Sequence, residues 1–192
     1  MSLTTTTELE AVNTMLNTIG EAPINTLVDI TSVDAITALS ILRSVSREVQ
    51  TQGWFFNTEH NYPLVPDLNN NLPLPLNLLS LDSSEVSQSF DLIQRGPLAY
   101  DRQNHTYIFT DTVKCSLILL RAFEETPEAA RHYMTIRASR IFQDRVLGSD
   151  SLHGMNREDE YTALTTLRLT ESENADYNIL TGNNDVYRIL AR

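Results

Sequence analysis

One stretch, residues 61–77 (NYPLVPDLNNNLPLPLN), limits what the rest of the chain can become. It carries four of the seven prolines and five asparagines. Proline fixes φ and has no N–H to donate, so no helix can run through this stretch. Helical structure is therefore confined to the two flanks, with extended or looped chain between them.

On the N-terminal side the helices read from local rules. Thr5-x-x-Glu8 and Thr7-x-x-Glu10 are overlapping capping boxes. Leu9, Val12, Leu16 and Ile19 follow at helical spacing, flanked by Met15, until Gly20 stops the helix. Four successive threonines before the cap read as a loose leader. A second helix starts near Ser32 or Asp34. Ala35, Ala38, Leu39, Leu42, Val45 and Val49 form its apolar stripe, with Arg43 and Arg47 opposite and Gly53 as its stop. Trp54-Phe55-Phe56 then reads as the start of a strand.

From residue 76 the pattern turns to short strands at Leu76–Leu81, Phe90–Gln94, Thr106–Thr110 and Cys115–Leu120, with turns at Gly96-Pro97 and 102–104. Helical periodicity returns after Thr126-Pro127-Glu128, read as an N-cap, a first-turn proline and an acid at the positive end of the dipole. Ala130, Met134, Ala138, Ile141 and Phe142 make the stripe of this third helix. Arg137, Arg140 and Asp144 share another face. A fourth helix is expected from about Arg157 to Ser172, with Tyr161, Leu164 and Leu167 as its apolar contacts. After it comes a tail with Ile179, Leu180, Val186, Tyr187, Ile189 and Leu190. The fold class is α+β: a mainly helical body of about four helices, interrupted by a small β-rich insert. The divisions are 1–57 for the N-terminal part of the body, 58–122 for the insert, and 123–192 for the C-terminal part with a docking tail.

Charge narrows the function. Twenty-five acids against 14 bases give a net charge of −11. Nucleic-acid affinity comes from Lys and Arg displacing counterions at phosphates, so a clamp on DNA is disfavoured. Residues 1–34 have five acids and no base. Lys114 is the one lysine, leaving 13 arginines, whose planar forks suit bidentate contacts. The single cysteine, Cys115, sits in the apolar run KCSLILL and reads as a buried small hydrophobe. MSLTTTTELE has neither the basic nor the apolar region of a signal peptide. No apolar run reaches the roughly 20 residues of a membrane helix. A cytosol-like compartment, or a particle assembled there, is the expected location.

No phosphate loop, dinucleotide glycine pattern, HExxH, GxSxG or EF-hand loop is present. His60, His105, His132 and His153 do not cluster, and Asp150-x-x-His153 is a two-ligand spacing common by chance. Glu124-Glu125 and Glu158-Asp159-Glu160 are adjacent acids, not carboxylates opposed across a bond. No catalytic residue, cofactor or metal is expected. The residues describe a protein that works by contact.

The same residues resemble the tail tubular protein A family of short-tailed bacteriophages. Glu8–Leu27 (ELEAVNTMLNTIGEAPINTL) is similar to the family's opening block. Ala38, Ile41-Leu42 and Gln52–Asn57 (QGWFFN) match its second, and Leu64–Asp67 (LVPD) its third. Pro127-Glu128, Ala138-Ser139-Arg140, Phe142, Arg145 and Gly148 match its fourth, and Asp176–Leu180 its ending. Residues 68–118 match poorly. The resemblance implies a structural virion protein at the head–tail junction, made in the bacterial cytoplasm. It implies a twelve-subunit ring between the portal protein and the tail nozzle protein, acting in genome retention and passage. DNA is then passing cargo, which an acidic wall does not grip, and no membrane is involved. The candidate contacts with portal or neighbouring subunit are Arg137 and Arg140 on helix three and Val186, Tyr187, Arg188, Ile189 and Leu190 in the tail. The alternative is a tail-associated enzyme degrading host surface polysaccharide.

Overall fold

The computed structural model describes residues 4–83, 90–148 and 150–174. Four α-helices lie among them: α1 (Glu8–Thr18), α2 (Val33–Gln50), α3 (Glu128–Val146) and α4 (Asp150–Asn174). Between α2 and α3 come β1 (Thr58–Leu64), β2 (Leu78–Ser83), β3 (Leu92–Arg95), β4 (Leu98–Asp101) and β5 (Val113–Leu119). The α+β class and the interrupted helical body stand as read. No described helix is long and apolar enough to cross a membrane.

Of the two overlapping capping boxes, the structure uses Thr7 and Glu10. Glu8 is thereby freed to pair with Arg43 of α2 at 2.9 and 3.1 Å. The threonine leader is pinned, contrary to the expectation. Glu128 accepts hydrogen bonds from Thr6 N and Oγ1, and Arg131 donates to Thr5 Oγ1 and Thr6 O. Ser32 caps α2 through the Ala35 N–H. Pro127, not Thr126, is the residue preceding α3, because the Thr126 hydroxyl is already donated to Phe123 O of a short 3₁₀ turn.

Two apolar cores result. The helical one gathers Val12, Met15 and Leu16 of α1, Leu42, Val45 and Val49 of α2, Met134, Ala138 and Phe142 of α3, and Ala163 and Leu167 of α4, with Trp54 beside them. Tyr161, expected among these contacts, is instead exposed. The inward face of α4 is Asn156, Glu160, Ala163, Leu167 and Glu171, and Tyr161 falls off it.

The second core is built on β5, whose alternate residues Val113, Cys115, Leu117 and Leu119 are buried. β5 is the centre of an antiparallel sheet ordered β1-β5-β2, and β3 and β4 form a separate hairpin around Gly96. Cys115 is buried as expected, and burial pushes its thiol up to about 11. Strands β1 and β4 escaped the sequence reading. β1 runs through Pro63, which an edge strand tolerates. Thr106–Thr110 is not a strand: Phe109 plugs the core from a loop whose N–H is bonded to Asn70 O. Trp54–Asn57 is a turn, and β1 begins one residue later.

Gly53 makes this turn possible. Its φ is +75°, and an added Cβ would lie 2.8 Å from Ile118 Cδ1. Gly53→Ala is therefore expected to lower stability by about 1–2 kcal/mol, mostly through the left-handed backbone. Urea denaturation followed by the fluorescence of the single tryptophan measures this. A loss under a few tenths of a kcal/mol would contradict the assignment.

Candidate functional site

The third helix places Arg137 and Arg140 where their spacing said, on one face with Asp144. The structure supplies the partners that spacing does not reveal. Arg137 Nη1 lies 2.6 Å from Glu160 Oε1 of α4, and its Nη2 lies 2.5 Å from Glu48 Oε1 of α2. Arg140 donates from Nε to the other Glu160 oxygen and from Nη1 to Asp144 at 3.1 Å. Glu160 thus gives one oxygen to each arginine. Burial alone would raise its carboxyl, but hydrogen bonds from Arg140 and Arg137 outweigh that and hold it below the ordinary carboxylate value. The cluster ties three helices together, and both arginines are committed to partners within the chain.

Around it the surface is concave. A cleft of about 300 Å³ between α3 and α4 is lined by Arg140, Arg157, Glu160, Tyr161 and Leu164. A second, of similar size, lies between α2 and residues 120–124, with Arg43, Arg47 and Arg121 facing Glu8 and Glu124. A third, of about 460 Å³, runs from Gly53–Phe55 to Glu171 and Asn174.

Three of the acids singled out in the sequence have structural partners here, while Glu158 and Asp159 are exposed. Glu124 accepts from Glu8 N and Glu125 from Ala122 N. Glu160 serves the cluster. His60 lines the third cleft, whereas His105 and His132 are exposed elsewhere. Among the described residues no group of three or more His, Cys, Asp or Glu is placed to hold a metal ion. The Asp150 and His153 side chains lie outside those described. Val186, Tyr187, Arg188, Ile189 and Leu190 lie outside the described residues altogether.

Sequence reading missed three buried polar residues that organise this region. Arg131 is buried and donates only to Thr5 Oγ1 and to backbone oxygens, those of Thr6, Glu124 and Thr126. Gln50 is fully buried at the junction of body and insert. Its side chain donates to Arg121 O at 3.1 Å and accepts from Arg121 N at 2.8 Å. Asn57 faces it across the crossing chains, accepting from Trp54 N and donating to Gln50 O and Leu119 O. One signal was present for the first: Arg131, Thr135, Ser139 and Gln143 recur every fourth residue, and all four are buried. That is a polar seam beside the apolar stripe.

The described chain is thus a helical body braced by ion pairs, with a β insert joined to it by a polar clasp. The family model for the tail tubular protein matches residues 9–177, through both halves of the body and across the insert. The chain belongs to the tail tubular protein family, and is a structural component of the bacteriophage tail. No curated protein matches it.

Proposed function

We propose that this chain is an adaptor subunit of a ring joining the portal protein to the tail nozzle protein, and that the ring retains and then passes the genome. The observation that carries the reading is the span of the family match, which takes in the helical body and the insert together. Charge supports it. Net −11 per chain disfavours a grip on phosphates, and Glu158, Asp159 and Glu173 of α4 and Asp67 and Asp111 of the insert are exposed. DNA is then cargo that the wall does not hold.

Arg137 and Arg140 serve assembly on this reading by fixing α4, and with it the direction in which the chain leaves Asn174. We assign Val186–Leu190, beyond that point, to contact with the portal or a neighbouring subunit. The test is particle mass, for the chain alone and after mixing with portal rings. The expected result is a portal-bound multimer of this chain, lost when residues 183–192 are deleted although the shortened chain keeps its helical content. A full-length chain that never joins the portal ring would overturn the reading. Normal joining by the shortened chain would overturn the tail assignment.

A further inference from the structure

We propose that the cleft and helix face formed by Arg157, Tyr161, Leu164 and Arg168 on α4 of one copy receive the α1–α2 corner of a second copy of this chain. This deepens the ring reading above and rests on it.

The corner is a built surface. Asn13 of α1 makes two hydrogen bonds with the backbone of Ile24, at 2.9 and 2.8 Å, and Thr26 Oγ1 accepts from Val28 N. Ile24, Leu27 and Ile30 turn inward against the helical core. Held in this way, the loop leaves Val28, Val33 and Ile36 outside, exposed by 70%, 74% and 50%. Glu21 and Asp29 are exposed beside them and Asp34 is half-buried, with no base anywhere in residues 1–34. An apolar patch held out by fixed hydrogen bonds and rimmed with one sign of charge has the character of a contact surface.

The receiving face has the complementary character. Arg157, Tyr161, Leu164 and Arg168 recur at helical spacing along one flank of α4. Tyr161 is 70% exposed, and among the described residues neither Arg157 nor Arg168 has an ion-pair partner. The cleft of about 300 Å³ beside Tyr161 has room for a valine-sized side chain.

A chain cannot bring its own corner to its own cleft. Arg137 ties the cleft's Glu160 to Glu48, near the C-terminal end of α2. Val33 and Ile36 lie at the other end of that helix, roughly 20 Å away at 1.5 Å rise per residue. The two surfaces differ, so the contact between copies is heterologous, the kind that closes a ring or propagates a tube. Opposite charges meet there although each copy as a whole repels the next.

Cysteine linking tests this in full-length chains, because the native Cys115 is buried. Val33→Cys and Tyr161→Cys are made separately, mixed, and treated with a short bis-maleimide, both free and on portal rings. A Val33–Tyr161 dimer is expected from the mixture and a ladder from the doubly substituted chain, with little product from either single variant alone. Arg157→Glu with Arg168→Glu is expected to cut the product roughly tenfold at low salt. With Arg157→Glu and Arg168→Glu carried by the Tyr161→Cys chain, Asp29→Arg and Asp34→Arg on the Val33→Cys chain are expected to restore it. Equal linking by the single variants, or no effect of the charge reversal, overturns the contact. A chain that joins portal-bound multimers but yields no Val33–Tyr161 product overturns the contact alone. A chain that never multimerises overturns both this contact and the ring.

Discussion

Replacing Asn57 with Leu is expected to lower stability by about 4 kcal/mol, the largest effect of any single substitution considered. Asn57 is 1% exposed and joins three chain segments. Trp54 N donates to its Oδ1 at 2.8 Å, and its Nδ2 donates to Gln50 O at 2.9 Å and Leu119 O at 3.1 Å. Leucine fills much the same volume but bonds to none of them. Gln50 O keeps the Gly53 N–H, but Trp54 N and Leu119 O lose this partner. Each buried backbone group left unpaired costs about 1–3 kcal/mol, so the two together outweigh any gain in apolar burial. Asn57→Asp tests the same clasp with a different readout. Aspartate can still accept from Trp54 N, but its second oxygen faces two carbonyls in a buried site. Its folded pKa must then rise above the unfolded value near 3.9. The variant is therefore closest to wild type at acid pH and loses stability as pH climbs above about 4. Urea unfolding at several pH values measures both. A Leu variant within about 1 kcal/mol of wild type, or an Asp variant flat from pH 4 to 8, would show that the clasp is not what couples body to insert.

The reason Asn57 was invisible in the sequence applies to most of what was missed. Local rules found what local physics decides. Thr7 and Glu10 mark the start of α1, and the apolar stripes of α1, α2 and α3 place Val12, Leu16, Leu42, Val49, Met134 and Phe142 in the core. Cys115 was legible because a strand core needs small apolar residues on one face. What failed was non-local. Phe109 has strand composition, yet its burial depends on the loop meeting Asn70. The extent of α4 was underestimated because its inward face mixes Ala163 and Leu167 with Asn156, Glu160 and Glu171. These polar residues find Gln143, the two arginines and Phe55 N on other elements. The candidate pair Arg137 and Arg140 was visible as a shared face. Its partners on α2 and α4 were not, since nothing at positions 48 or 160 distinguishes those acids from solvated ones. Apolar periodicity likewise cannot detect Arg131, Gln50 or Asn57, whose burial is compensated by backbone groups from distant parts of the chain.

The second large effect concerns Glu160, the one acid among the described residues that touches both arginines. Glu160→Gln keeps the shape and one acceptor but removes the charge between Arg137 and Arg140. The side chains are 12% exposed at Glu160 and 24% and 19% at the arginines. Breaking a fully buried pair costs about 3–5 kcal/mol. The arginines here retain some solvent and keep Glu48 and Asp144, so about 2–3 kcal/mol is expected, allowing for screening. The pH dependence gives the sharper signature. The arginines hold the folded Glu160 carboxyl below its unfolded value, which is near 4.3. Its stabilisation is therefore complete above about pH 5 and is lost as pH falls through the folded pKa. The gap between wild type and Glu160→Gln should be full at pH 7 and shrink on acidification as wild type loses the same interaction. Thermal unfolding of both chains from pH 7 to pH 3 measures this gap, and a gap independent of pH would mean that the carboxylate charge is not what holds α4 to the body. Because α4 also carries Arg157, Tyr161 and Arg168, weakening its anchor should reduce linking between Val33→Cys and Tyr161→Cys chains. That ties the internal ion pairs to the surface they position.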